Sequence, residues 1–246
     1  MNRLFLNSDA STLKKLLFAS PLFKGGHSPS IPYVADGLVF WLDGISKGTD
    51  NTKWVDIAGN KEITLTNCTF TENAVDFSAS GAYGLLDGVS TGVLPAEGTI
   101  EACLSGSQTL PSAGFCLLRG ENTAIRFYFA GASHRVEMNE NSSATSWNGI
   151  PTSGFSKLTA SMNEDRAFFN GETLAATTGR TWMSSITSPC IIIGGSGGIS
   201  NPASGGHFNG LLYAIRIYNR KLSEAEIMQN QIADNARFGL GLQISK

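Results

Sequence analysis

A chain of 246 residues is long enough for one large β domain, and a net charge of −2 lacks the basic excess expected of a nucleic-acid partner. Glycine is abundant at 28 residues and charged side chains are sparse at 15%, which fits many strands and tight turns better than a helical bundle. No apolar run reaches the roughly eighteen residues of a membrane span.

Met1 to Phe23 has no uninterrupted hydrophobic core of the secretory kind, because Lys14 and Lys15 stand directly before the short run Leu16-Leu17-Phe18-Ala19. The spacing instead predicts a short amphipathic helix with Leu13, Leu16, Leu17 and Ser20 on one face and Pro21 ending it. Lys24 to Pro32 holds two Gly, two Pro and two Ser in nine residues and reads as a linker. The expected division is therefore an N-terminal helical arm and linker over 1–34 and one domain over 35–246. Three uses of the arm fit: it folds back on the domain, it docks the domain into a larger assembly through Leu13, Leu16, Leu17 and Phe18, or it is a weak export signal.

From Gly37 the pattern is of short strands. Leu38 to Asp43 is an apolar run ending at Gly44, and Trp54-Val-Asp56 leads into a loop at Gly59-Asn60. Asp56 is placed to accept backbone N–H groups two residues on, as Asx turns do. Ile63–Thr66, Ala74–Phe77 and Ala82–Leu86 follow, broken every eight to twelve positions by Gly, Asn or Ser, and this spacing argues for a sandwich. Gly98–Leu104, Gly114–Arg119, Ile125–Ala130 and Arg135–Met138 read as further strands. Phe155–Met162 and Arg166–Phe169 form a hairpin pattern, with Asn170-Gly171 as a turn signal. Cys190-Ile-Ile-Ile-Gly194 is fully apolar and so is expected to be covered on both faces.

The end of the chain is its strongest signal. Leu211, Tyr213, Ile215 and Ile217 alternate with Leu212, Ala214, Arg216 and Tyr218, and the polar tips of Arg216 and Tyr218 suit a partly covered face. Ser223 and Glu226 then have the spacing of a capping box, and Leu222 and Ile227 that of a hydrophobic staple. Phe208, Gly210, Ile215, Arg216, Ile217, Tyr218, Asn219, Arg220, Leu222, Ser223, Glu226 and Ile227 together resemble the last strand and trailing helix of laminin-G-like jelly-roll domains. Gly37 to Gly44 and the Asp56 loop resemble the opening of the same family, part of the concanavalin A-like lectin and glucanase superfamily. The resemblance implies an all-β fold, a two-sheet antiparallel jelly-roll sandwich with a short C-terminal helix. It is nearly silent on ligand, since these residues shape a turn and a cap.

Residues suited to chemistry are few. Enzymes of the superfamily carry acids in a pattern like E-x-D-x-E on one strand, which alternation sets on one face. No such pattern occurs: Glu137 and Glu140 are three apart and fall on opposite faces, and Glu164-Asp165 reads as a turn. The expectation is a protein that is not an enzyme. His27, His134 and His207 are isolated, and no Cys or His pair has zinc spacing. Asp43, Asp56 and Asp76 fit capping and turns better than calcium, so neither a cofactor nor a structural calcium is indicated. Cys68, Cys103, Cys116 and Cys190 match no disulfide framework, and the last three lie in apolar strands as small hydrophobes. Gly194 to Gly198 has no helix after it and reads as a loop between the last two strands.

Binding remains. Sugars present apolar C–H faces rimmed by hydroxyls, so aromatic platforms flanked by short polar side chains suit them. Trp147, with Asn148 beside it, lies in NENSSATSWNGIPTSG, and Trp182 lies in TTGRTWMSS; both stretches read as loops near strand ends. Trp41 and Trp54 read as core. Two classes of function stay open. One is a non-catalytic, lectin-like binding module that recognises a glycan or a partner protein. The other is a structural component of a virion, such as a phage tail or head surface, docked by the arm. A module adhering at a virion or cell surface combines the two, and a secreted carbohydrate-binding protein is the remaining alternative.

Overall fold

The computed structural model describes residues 33–48, 50–86, 97–106, 113–119, 123–130, 133–140, 143–148, 158–163, 166–170, 172–173, 190–195, 197–204 and 207–243. The arm residues Leu13, Leu16, Leu17 and Phe18 lie outside them, as does Trp182.

The strands in chain order are β1 (Leu38–Asp43), β2 (Lys53–Val55), β3 (Glu62–Thr66), β4 (Thr69–Phe70), β5 (Val75–Asp76), β6 (Tyr83–Leu86), β7 (Thr99–Gly106) and β8 (Ala113–Arg119). They continue as β9 (Thr123–Ala130), β10 (Ser133–Glu140), β11 (Ser143–Asn148), β12 (Leu158–Asn163), β13 (Ala167–Phe169), β14 (Glu172–Thr173), β15 (Ile191–Ile193) and β16 (Gly210–Tyr218). Helix α1 (Glu224–Phe238) follows. One layer is an eight-stranded sheet in the order β14-β13-β12-β7-β16-β5-β4, with β1 also paired to β16. The other is built from two four-stranded sheets, β11-β10-β9-β8 and β15-β6-β3-β2, brought alongside each other at β8 and β15. Every ladder is antiparallel.

The interior follows from strand alternation. Phe40 and Leu42, Ile100, Ala102 and Leu104, and Ile215 and Ile217 come from the larger sheet and meet Trp54, Ile63, Leu65, Ile191 and Ile193 from the other layer. β15 is buried at all three positions, as its unbroken apolar run requires. Trp54 sits in that core with its indole N–H donating to the Asp43 carbonyl at 3.0 Å. Trp41 is on the other face of β1, edge-on to Tyr33 with ring centroids 5.1 Å apart.

Two local features depart from simple alternation. The β7–β16 register shifts between Leu212 and Ala214, so Leu212 joins Ile215 and Ile217 inside while Tyr213 and Ala214 pack together outside against Phe238. This bulge reverses the expected grouping of Leu212 and Tyr213. Gly210 precedes it where a Cβ would stand 2.1 Å from the Ser105 carbonyl oxygen, so only glycine lets β16 approach β7 there.

α1 begins as its sequence indicates. Glu226 N donates to Ser223 Oγ at 3.3 Å, Ser223 N donates to Glu226 Oε2 at 2.9 Å, and Leu222 and Ile227 share one apolar cluster. It ends at Gly239, whose left-handed φ of 61° lets its N–H reach the Asn235 carbonyl. The helix lies over the outer face of the larger sheet and closes it. Arg216 and Tyr218, expected on a partly covered face, are 1% and 0% exposed beneath it.

Candidate functional site

Carboxylates decide whether the fold could cut a bond, and the buried ones are occupied. Arg216 Nε donates to Glu101 Oε2 at 2.9 Å, and its two terminal nitrogens donate to Asp234 Oδ1 at 2.8 Å and Oδ2 at 2.5 Å. Asn230 donates to the same Glu101 oxygen at 2.8 Å, and Ser161 Oγ donates to Glu101 Oε1 at 3.2 Å. The Tyr33 hydroxyl donates to Asp234 at 2.9 Å, and the Arg216 guanidinium lies 4.7 Å from the centre of the Tyr33 ring. Burial pushes the Glu101 carboxyl above its ordinary range, against the pull of Arg216. Against burial, Asp234 and Glu101 hold the guanidinium well above its own usual value. These acids are satisfied and shut from solvent between sheet and helix, where they act as a structural layer.

The other acids named from the sequence behave as caps. Asp56 accepts from the N–H groups of Trp41, Ala58 and Gly59 at 2.8, 2.9 and 2.9 Å, the turn its spacing predicts plus one long-range bond. Asp43 accepts from Ile45 N and Ser46 N and is gripped by Arg237 Nε at 2.7 Å. Asp76 accepts from Ser78 N. Among the described residues, no group of three or more His, Cys, Asp and Glu could hold a metal ion. Cys68 is half-buried and donates to the Thr66 and Tyr83 carbonyls; burial pushes its thiol up to about 12, which favours the protonated form near neutral pH.

The binding candidates lie on β11, an edge strand where the sequence suggests a loop. Ser143 to Asn148 pairs with β10 along its length, bringing Trp147 opposite Val136 and Asn148 opposite Arg135. The register continues across β9 and β8. The Trp147 row runs through Val136, Phe127 and Phe115, and the Asn148 row through Arg135, Tyr128 and Gly114. Opposed residues in an antiparallel ladder share a face and sequential neighbours do not, so the pairing divides Trp147 and Asn148 between the two faces. One face carries Ile125, Phe127, Val136, Met138 and Trp147; the other carries Arg126, Tyr128, Arg135, Glu137, Ser146 and Asn148. Glu137 and Glu140 both lie on β10, three positions apart, and so take opposite faces.

Composition alone points to Trp147 and Asn148 and not to Arg126, Tyr128 and Arg135, which share the face of Asn148. Their signal was present as the alternation of Ile125-Arg-Phe-Tyr-Phe and Arg135-Val-Glu-Met. What joins them to Asn148 is the cross-strand register.

Among solved structures, Trypanosoma rangeli sialidase superposes with a TM-score of 0.60 at 16% identity, covering 85% of this chain and 36% of that one. The chain thus spans little more than a third of the sialidase. Domain 4 of AbnA, a GH43 extracellular arabinanase from Geobacillus stearothermophilus, in complex with arabinotriose, superposes at 0.57 with 15% identity, covering 79% of this chain and 98% of the domain. The botulinum neurotoxin serotype D binding domain gives 0.55 at 13% identity, over 78% and 50% of the two chains. At such identities the likeness speaks for the fold alone. No curated protein matches the sequence. A laminin G-type family model matches residues 97–228, more than half of the chain and including the last strand and the capped first turn of the helix that carry the resemblance, so the chain belongs to the concanavalin A-like lectin/glucanase superfamily.

Proposed function

We propose that the chain is a non-catalytic glycan-binding module whose ligand lies on the polar face of the β8–β11 sheet. The observation that carries this reading is the register that gathers Arg135, Tyr128, Asn148 and Ser146 on one face. Guanidinium, amide and hydroxyl groups match sugar hydroxyls as donors and acceptors, and the tyrosine ring can take a C–H face. The opposite face, rich in Phe, Ile, Val and Met, has the composition a sandwich turns inward, with Trp147 at its edge. Further support comes from the arabinanase domain, which matches this chain over nearly its whole length and was captured with arabinotriose.

Display on a virion or cell surface is part of the same proposal. It is supported by the amphipathic spacing of Leu13, Leu16, Leu17 and Phe18 and by the linker after them, which suit an arm that docks into a larger assembly. A glycan array probed with the full chain tests the binding role. Hits are expected, and Asn148→Ala or Tyr128→Ala should abolish them with the melting temperature unchanged, whereas Trp147→Ala should lower the melting temperature. An array without hits would leave the module a structural or protein-binding part.

A further inference from the structure

The saccharide reading of the β8–β11 face is the premise here; the charge on that face narrows the class of sugar. Arg119 on β8 stands opposite Ala124 of β9, and Arg126 of β9 stands opposite Glu137 of β10. Arg135 of β10 stands opposite Tyr128 on one side and Asn148 on the other. Positions two apart along a strand share a face, so all three arginines and Glu137 occupy the same one. Arg126 and Glu137 are directly opposed in the register. In the described ladders the register partners of Arg119 and Arg135 are Ala124, Tyr128 and Asn148, all uncharged. Among the described residues the face carries three arginines against one glutamate, in a chain whose net charge is −2. Strand spacing and rise set Arg119 and Arg135 about 16 Å apart, a span for a short oligosaccharide rather than a single sugar.

We propose that this face binds an acidic oligosaccharide bearing carboxylates, a uronic-acid polymer in chemical class, with Arg119 and Arg135 each taking a carboxylate. The planar fork of arginine matches a carboxylate with two parallel hydrogen bonds, which a neutral sugar cannot supply. Titration calorimetry of the full chain with an oligogalacturonate, with arabinotriose, and with a sulfated heparin fragment tests it. Oligogalacturonate should bind best. Arg119→Gln and Arg135→Gln should each weaken it about tenfold or more, Arg135→Lys should weaken it less, and salt at about 0.5 M should weaken it further. Thermal melts report whether the variants fold. Equal binding of arabinotriose, or indifference to the arginine variants, would overturn the acidic class while leaving saccharide binding intact. Tighter binding of the heparin fragment would overturn carboxylate as the anion. If no saccharide binds, the inference and its premise fall together.

Discussion

Replacing Arg216 by methionine removes the one cation that Glu101 and Asp234 share. The side chain is 1% exposed and donates three hydrogen bonds of 2.5–2.9 Å to the two acids. Without it, the two buried carboxylates lose the cation that both of them accept from. Removing one partner of a buried ion pair costs about 3–5 kcal/mol, more than the pair itself contributes. At about 2–4 °C per kcal/mol for a domain of this size, the melting temperature should fall by roughly 10 °C. The loss should also depend on pH. With the guanidinium gone, burial and the neighbouring Asp234 charge hold the Glu101 carboxyl above its unfolded value of about 4. The folded variant then binds more protons than the unfolded one between these values, so its stability falls as pH rises through the raised pKa and recovers below about pH 4. Glu101→Gln should behave differently, costing no more than about 1 kcal/mol, because it neutralises a group that burial already disfavours as an anion. Urea unfolding of both variants at pH 7 and at pH 4 gives the comparison. An Arg216→Met protein within 1 kcal/mol of wild type at pH 7, or one whose deficit is the same at both pH values, would refute the reasoning.

Glu226→Gln should cost about 1 kcal/mol at neutral pH, a figure discounted for a side chain that is 30% exposed. The hydrogen bonds from Arg220 and Ser223 pull the Glu226 carboxyl down to about 2, so its contribution is whole above the unfolded value near 4.3 and disappears as pH falls through 2. The gap between wild type and variant should close over that interval; a gap that persists at pH 2 would argue against the cap as its origin. Gly210→Ala should lose about 2 kcal/mol or more by denaturant unfolding, since its Cβ would stand 2.1 Å from a carbonyl oxygen of the neighbouring strand and two backbones must part. Near-wild-type stability would mean that the β7–β16 contact yields more easily than its geometry implies.

The capping box, the Asp56 turn and the strands β1, β3 and β15 were legible because each is written in neighbours a few residues apart. Asp56 and Gly59, or Ser223 and Glu226, meet whatever the rest of the chain does. The burial of Arg216 was not legible. An arginine alternating with apolar residues is the ordinary mark of a half-wet face, and only Asp234, eighteen residues on, and Glu101, far behind, make it an interior residue. The bulge at Tyr213 is hidden for a related reason, since period-two counting assumes no inserted residue. β11 has the serines, threonine and asparagine of a loop and becomes a strand by pairing with β10. For the candidate site, the residue types on each strand could be read, but not which rows join them. A one-residue slip in register would have moved Asn148 to the company of Val136.

The first described residues are latched to the last helix. Val34 N donates to Asn230 at 2.9 Å, Tyr218 donates to the Val34 carbonyl at 3.1 Å, and Tyr33 reaches Asp234. Tyr33 and Val34 are therefore fixed behind the larger sheet, against the helix that closes it. The proposed ligand face belongs to the other layer. A bond made by the first described residues thus helps seat the last element, so that the two ends of the described chain are secured together on the side of the sandwich away from that face.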